Sequence, residues 1–196
     1  MFKRFVSLLV SALLLASFAA AEDAFDLTGV HIYGTDFAIN YPSDWGVSTD
    51  DSENTPDDLY CGMLFSPDDT GLNVEIYKYY LEDWADYTML GMDSDGIAGF
   101  HDMFMEMFGE TLQYQPIGTL YTTRDGIPFL IYNAADEYGP MYVAESMLDG
   151  WFITLYGYGY TDDSYTLCRD LTADDLALFN AIVKTYAPMS LTLPAE

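Results

Sequence analysis

Residues 127–158 read IPFLIYNAADEYGPMYVAESMLDGWFITLYGY, and the spacing of the apolar runs in this stretch predicts the centre of the fold. The runs are rich in aromatic and β-branched residues, which favour strands, and turn residues separate them. Asp149-Gly150 between two runs is a strong signal for a two-residue hairpin. One more run precedes the stretch, so four consecutive strands are predicted, at 112–123, 127–134, 141–147 and 151–158. Strands joined by such short turns form an antiparallel meander.

The chain before the meander predicts a second group of strands. Apolar runs between turn residues predict strands at 30–33, 37–41, 60–65 and 72–80, with a polar, acidic loop at 48–58. In the last of these runs, Leu72, Val74 and Ile76 alternate with Asn73, Glu75 and Tyr77, which is the period of a strand with two different faces. The turn residues SPDDTG join the last two strands as a hairpin.

Two amphipathic helices are predicted, one before and one after the meander. Residues 97–108 carry apolar side chains at helical spacing, and Ser94 or Asp95 is the expected cap. The second helix begins at Thr172 and Asp175, whose spacing is that of a capping box. Its apolar stripe consists of Leu176, Phe179, Ile182, Val183 and Tyr186. The fold class predicted is therefore α+β: a single domain with a mainly antiparallel sheet flanked by helices, which buries both stripes.

The N-terminus has the three parts of an export signal. Two basic residues precede an apolar run at 5–18, and three alanines ending at Ala21 supply the small residues of a cleavage site. A membrane-spanning helix needs about 20 apolar residues, more than this run offers. We therefore expect residues 1–21 to be a signal peptide and 22–196 a single domain with its core at about 30–188. The mature chain would be secreted or periplasmic, without stable insertion in a membrane.

The net charge narrows the classes of partner. The chain has 6 basic and 32 acidic residues, a formal charge of −26. Because phosphate contacts need Lys and Arg, this charge argues against nucleic-acid binding, and it disfavours adsorption to an anionic membrane. A cationic ligand or a protein partner with a basic surface is attracted instead, although the same charge also maintains solubility alone. Apolar residues make up 51% of the chain, enough to build a core in spite of the charge.

Residues 37–45 read FAINYPSDW, an F-x-I-x-Y-P-x-x-W pattern. In this pattern, and in the order of the later meander and closing helix, the chain resembles the PsbP-like/Mog1-like family of α/β/α sandwiches, as an exported bacterial-type member. The resemblance implies an antiparallel sheet between helices and a role in binding or assembly, because no shared catalytic motif defines such proteins. It transfers no functional residue. Pro42 and Trp45 are interpreted structurally: the proline ends a strand, and the indole covers the end of the sheet.

One acidic turn is a candidate calcium site. Residues 93–96 read DSDG and resemble the middle of an EF-hand loop, which would make Asp93, Asp95 and Asp102 the candidate metal ligands. The register of such a loop places Gly91 at the first ligand position, where an oxygen side chain is required. A helix-capping turn explains the same residues without an ion. No other cofactor is predicted.

The sequence contains few groups suited to nucleophilic catalysis. Hydrolysis of that kind needs a Ser or Cys beside a His, and nothing in the local sequence pairs His31 or His101 with a nucleophile. We interpret His101 as a packed histidine at the edge of a helix stripe. Cys61 and Cys168 form one disulfide in an oxidising compartment or remain two free thiols, and the sequence leaves both open.

The function expected from these observations is binding. We expect an exported, acidic binding or assembly protein of unknown partner, with no catalytic activity of its own. The alternatives are a calcium-dependent or glycan-contacting exported module and an exported hydrolase. The run YGYGY at 156–160 is the candidate contact surface, since tyrosine provides a large contact area at low entropic cost. In the other interpretation these rings pack under a helix.

Overall fold

A computed structural model of the chain describes residues 25–33, 37–49, 59–108, 113–123 and 126–188. The signal peptide predicted for residues 1–21 lies outside the described residues, as does most of the acidic loop predicted at 48–58. No helix in the described part of the chain is both long enough and apolar enough to cross a membrane.

Most of the described chain belongs to one antiparallel sheet of seven strands. Their bounds are β3 Gly46–Thr49, β4 Leu59–Phe65, β5 Leu72–Tyr80, β6 Gln113–Thr122, β7 Pro128–Ala135, β8 Pro140–Leu148 and β9 Trp151–Gly159. The spatial order is β3-β4-β5-β9-β8-β7-β6. The predicted four-strand meander is thereby confirmed as β6 to β9, and the predicted hairpin as β4 and β5. The pairing of β5 with β9 joins these two units into a single sheet.

The turn between β8 and β9 has the geometry that its sequence predicts. Asp149 has φ 48° and Gly150 has φ 81°, so both central residues have positive φ, as a type I′ turn requires. The twist of such a turn matches the twist of its strands, and Leu148 and Trp151 consequently form the last pair of the hairpin.

A smaller sheet of three strands lies beside the large one. It consists of β1 Gly29–Tyr33, β2 Phe37–Tyr41 and β10 Ala187–Pro188, in the order β1-β2-β10. The predicted strands at 30–33 and 37–41 are confirmed, and Pro42 follows the last residue of β2. Two short strands were not predicted. β3 occupies residues assigned in part to the acidic loop, and β10 follows the last helix; both are too short to show an alternating pattern.

Both predicted helices are present. The first, α1, spans Ser94–Phe108, and the second, α2, spans Ala173–Lys184. Asp93 caps α1, because its Oδ1 accepts a hydrogen bond of 2.8 Å from the Gly96 N–H. The predicted cap at Ser94 or Asp95 was therefore wrong by one or two residues. A 3-10 turn, Glu82–Trp84, precedes α1.

The N-terminus of α2 confirms the predicted capping box. Thr172 Oγ1 accepts a hydrogen bond of 3.2 Å from the Asp175 N–H, and Thr172 N–H donates to Asp175 Oδ2 at 2.8 Å. The reciprocal bonds satisfy backbone donors that the first turn of a helix leaves unpaired.

The large sheet has an apolar core on each face. On one face, Phe179 of α2 packs with Val74 and Ile76 of β5, and all three side chains are fully buried. On the other face, Ile97 and Phe100 of α1 lie in a second cluster, with residues of β7, β8 and β9. Glu75, Tyr77 and Tyr156 lie outside the second cluster or at its edge. The face of the sheet is open beside these three side chains.

Candidate functional site: a tyrosine-lined groove

The open part of this sheet face is a groove of about 590 Å³. Cavities of several hundred Å³ are the usual size of small-molecule and peptide-side-chain sites. Seven of its thirteen lining residues are tyrosines: Tyr77, Tyr79, Tyr138, Tyr156, Tyr158, Tyr160 and Tyr165. The tyrosine groove, as we call it, also contains the carboxylates of Glu75 and Asp136 and the side chains of Met141, Thr154, Thr166 and Cys168.

Strand alternation positions the floor of the groove. Val74 and Ile76 of β5 are buried against α2. Because side chains alternate along a strand, Glu75 and Tyr77 point away from α2. In the register of β5 and β9, Glu75 lies opposite Tyr156, and Tyr77 lies opposite Thr154. Four neighbouring side chains of one sheet face therefore converge on the same space.

Glu75 is held in place by two phenol groups. Tyr158 O–H donates to Glu75 Oε1 at 2.5 Å, and Tyr77 O–H donates to Glu75 Oε2 at 3.2 Å. Burial raises the pKa of both phenols, and the neighbouring Glu75 carboxylate raises it further. Both tyrosines therefore remain neutral hydrogen-bond donors over the whole physiological pH range.

The walls of the groove are aromatic rings in contact with one another. Tyr77 and Tyr156 meet edge to face with ring centroids 5.8 Å apart, and Tyr158 and Tyr160 do so at 5.3 Å. Burial raises the pKa of Tyr156 to about 12, and the charges of Glu145 and Glu75 add to the effect. Edge-to-face contacts of this kind fix ring orientation, so the walls are preorganised.

The rim is built by loops that hydrogen bonds hold together. Asp136 Oδ1 accepts from the Tyr138 N–H at 2.8 Å, and the Cys168 N–H donates to the Tyr138 carbonyl at 2.7 Å. Tyr165 O–H donates to Asp69 Oδ1, in the turn between β4 and β5, at 3.0 Å. Tyr138 and Tyr165 are 57% and 55% exposed in spite of these bonds. Large rings thus stand in solvent at the mouth of the groove.

Thr154 contributes a buried hydroxyl. The residue is 2% exposed, and its Oγ1 has no hydrogen-bond partner in the described part of the protein. A buried hydroxyl without a partner destabilises a fold by about 1–3 kcal/mol. Because Thr154 lines the groove, its unpaired hydroxyl lies beneath the groove surface, next to the space that a ligand would occupy.

The electrostatic character of the groove is negative. Among the described residues that line it, none is Lys, Arg or His, whereas Glu75 and Asp136 are carboxylates. Arg169 lies near the strand end beyond the groove and forms a two-bond ion pair with Asp175, at 2.8 and 3.0 Å. Its guanidinium is thereby committed to the start of α2.

A second group of polar side chains is buried beneath α1. His101 Nδ1 and Glu145 Oε1 share a hydrogen bond, and Tyr132 O–H donates to Glu145 Oε2 at 2.9 Å. His101 is 3% exposed, which confirms its interpretation as a packed histidine. His31 lies in β1 of the small sheet. Neither histidine lines the tyrosine groove, so the described structure does not bring His31 or His101 to its thiol, Cys168.

The predicted calcium candidates lie on α1 and its cap, away from the groove. Asp93 caps the helix, Asp95 lies in its first turn, and Asp102 is exposed further along it. Within the described ranges, no group of three or more His, Cys, Asp or Glu side chains is placed to hold a metal ion.

The two cysteines lie far apart. Cys61 of β4 lies opposite Tyr77, toward the end of β5. Cys168 forms a β-bridge with Tyr160, and Tyr160 follows Gly159, which lies opposite Leu72 at the start of β5. At about 3.3 Å per residue, the separation along the sheet is on the order of 20 Å. A disulfide needs Cα atoms within about 7 Å, and Cys61 and Cys168 are not joined by a disulfide in the structure.

The sequence identified only part of the groove. The run at 156–160 was named as a candidate contact surface, and Tyr156, Tyr158 and Tyr160 do line the groove. Glu75 and Tyr77 were not named, although their alternation in β5 was recognised as a second strand face. The pairing of β5 with β9 brings the two segments together, and no local sequence signal shows this pairing.

Comparisons with known proteins concern the fold. No family model and no curated protein matches the sequence. The chain is similar to the solution structure of cyanobacterial PsbP from Synechocystis sp. PCC 6803, with TM-score 0.46, 14% identity, and coverage of 82% of this chain and 92% of that chain. It is also similar to a crystal structure from Bacteroides thetaiotaomicron VPI-5482, with TM-score 0.41 and 13% identity over 83% of this chain. In that case it spans 48% of the other chain, about half its length.

The resemblance stated from residues 37–45 thus recurs in the comparison of structures, as a likeness to a PsbP fold. At these identities the likeness describes the arrangement of strands and helices, and it transfers no residue role. The tyrosine groove is accordingly interpreted from its own geometry.

Proposed function

We propose that this chain is an exported, non-catalytic binding protein that holds a cationic ligand in the tyrosine groove. The observation that carries the proposal is the lining of the groove: seven tyrosines and two carboxylates, with no basic residue among the described ones. The formal charge of −26 extends the same preference to the whole molecule.

Two physical effects favour a cation in such a groove. The face of an aromatic ring carries partial negative charge, and a cation over a tyrosine is stabilised by about 0.5–2 kcal/mol, more where water is excluded. A cleft lined by one sign of charge also concentrates the field of the protein and accelerates the arrival of oppositely charged ligands. Glu75 lies where both effects act together, at the floor and beneath the rings.

A glycan is the second candidate, and a specific observation favours it as well. Aromatic rings beside a carboxylate that accepts hydrogen bonds are also suited to stacking against a sugar and binding its hydroxyls. The two ligands differ in their dependence on charge, because a neutral sugar gains nothing from the field of the protein. Salt therefore separates the candidates: screening weakens the binding of a cation and leaves that of a neutral sugar unchanged.

The test is calorimetric titration of the protein, purified after export from its expression host, with a tetrapeptide of alternating lysine and arginine. A neutral cello-oligosaccharide and an acidic tetrapeptide are titrated in parallel. We expect the basic peptide to bind and its affinity to fall with added salt. Glu75→Gln should weaken binding at least ten-fold, whereas Glu82→Gln, which removes the same charge at an exposed position in the 3-10 turn, should change it little.

Two results would contradict the proposal. One is no binding of the basic peptide at low salt; the other is an equal loss of affinity in the two glutamine variants, which would mean that net charge alone attracts the peptide. Salt-independent binding of the oligosaccharide would favour the glycan instead.

A further inference from the structure

We propose that Glu75 and Thr154 form a subsite for a guanidinium group, the arginine side chain of a partner protein. This inference rests on the proposed function and specifies its ligand. It depends on the acceptor positions that the floor of the groove leaves open, on the rings around them and on the exposed mouth.

The first step concerns the acceptors of Glu75. A carboxylate offers about four lone-pair positions, two on each oxygen. Tyr158 occupies one position on Oε1, and Tyr77 occupies one on Oε2. Each oxygen therefore retains one position, so both oxygens of Glu75 can accept one further hydrogen bond. A guanidinium presents two parallel N–H groups in a fixed fork that matches this arrangement, whereas an ammonium is a point charge.

The second step concerns Thr154. Thr154 lies opposite Tyr77 in β9, and Glu75 lies opposite Tyr156, so Thr154 and Glu75 are diagonal neighbours on one sheet face. Diagonal neighbours are about 7–8 Å apart at the backbone. A guanidinium bound through one edge to Glu75 has further N–H groups on its other side, and Thr154 Oγ1 is a buried acceptor without a partner in the described protein. One planar ligand group can bridge both when the side chains that cover Thr154 Oγ1 move aside.

The third step concerns the rings. Guanidinium is planar and weakly hydrated, so that it stacks on aromatic faces and loses its water at lower cost than ammonium does. Tyr156 lies opposite Glu75 in the register of β5 and β9, and the Tyr158 O–H donates to Glu75. Both tyrosines line the groove beside this carboxylate. The buried character of this floor therefore favours arginine over lysine.

The fourth step concerns the source of the arginine. The groove is open at a mouth where Tyr138 and Tyr165 are more than half exposed, at 57% and 55%. A peptide backbone can run across these rings while a single side chain enters, and tyrosine surfaces of this kind are suited to contacts with proteins. The negative charge of the chain selects a basic segment of the partner.

The experiment compares three capped tripeptides in which glycine flanks arginine, lysine or citrulline; the last has the shape of arginine without its charge. Titration calorimetry with the exported protein should show the arginine peptide binding at least ten-fold more tightly than the other two. Glu75→Gln should abolish the preference. Thr154→Val should weaken the binding of the arginine peptide about three- to ten-fold and leave the binding of the lysine peptide unchanged. Glu82→Gln is the control variant.

Thr154→Val also separates a site effect from misfolding. Valine has the shape of threonine, and the hydroxyl that it replaces has no partner in the described protein, so the thermal midpoint should be unchanged or higher. A lower midpoint together with lost binding of every peptide would mean that the hydroxyl is structural and would overturn its role in the subsite.

The remaining outcomes distinguish this inference from the proposed function. If the arginine and lysine peptides bind with equal affinity and Glu75→Gln abolishes the binding of both, the guanidinium subsite is overturned. The proposed binding of a cation in the groove would still hold. Binding of none of the charged peptides would overturn both. Free arginine binding as tightly as the arginine peptide would overturn the assignment to a protein segment.

Discussion

Gly157→Ala and Gly99→Ala should change stability in opposite directions, although the substitution is the same. A Cβ at Gly157 in β9 would lie 2.6 Å from Phe179 Cδ2 and 2.9 Å from Cε2. Phe179 is fully buried in the core between α2 and the sheet, so its ring cannot turn out into solvent. Overpacking of a filled core costs about 1–3 kcal/mol. We therefore expect Gly157→Ala to lower the free energy of unfolding by that amount.

Gly99 provides the matched control. It is exposed in α1, and a Cβ there would meet no atom within 4 Å. Alanine is favoured over glycine inside a helix by about 0.5–1 kcal/mol, so Gly99→Ala should be more stable than the parent protein by that amount.

Urea unfolding followed by circular dichroism measures both variants against the parent protein. The slope of the transition should be the same in all three, and the midpoint should fall for Gly157→Ala and rise for Gly99→Ala. An unchanged or raised midpoint for Gly157→Ala would refute the close packing of Phe179 on β9, and with it the position of α2 on the sheet. A lowered midpoint for Gly99→Ala would show that α1 packs through its exposed side.

Three further predictions concern the helix cap and titration. Thr172→Ala should lower the free energy of unfolding by about 1 kcal/mol, because it removes the acceptor of the Asp175 N–H; urea unfolding would show no change if the cap were absent. Burial alone would raise the pKa of Asp175, but hydrogen bonds from Arg169 and Thr172 lower it from 3.8 to about 2, so this carboxylate contributes stability above pH 4 that is lost as the pH falls to about 2. The stability difference between the parent protein and Asp175→Asn should vanish over that interval, and a difference that persists below pH 2 would contradict the assignment. Burial raises the pKa of Tyr79 and Tyr156 from 10.0 to about 12, so both phenols stabilise the fold below pH 10 and lose that contribution as the pH rises to about 12. Near-UV absorbance should show fewer tyrosines ionising near pH 10 in the folded protein than in urea, and equal titrations would rule out burial of these rings.

Local sequence patterns identified only part of the candidate site. Alternation in β5 correctly placed Glu75 and Tyr77 on the face opposite Val74, and three tyrosines of the YGYGY run line the groove. The distance between the two segments in the sequence hid their partnership, because β5 and β9 pair across the chain segment that contains α1 and the rest of the meander. The orphan hydroxyl of Thr154 was equally hidden, since an unpaired polar atom is a property of the packed interior and not of a sequence window.

The amino-acid sequence by itself determined the local elements of this protein. The strand periods, the Asp149-Gly150 turn, and the capping box at Thr172 depend on residues a few positions apart, and all of them appear as expected. Only the tertiary structure decided which strands meet, where the two cysteines lie and which tyrosines surround Glu75. Contacts between distant segments are selected by the burial of whole faces, and that selection depends on every element of the chain at once.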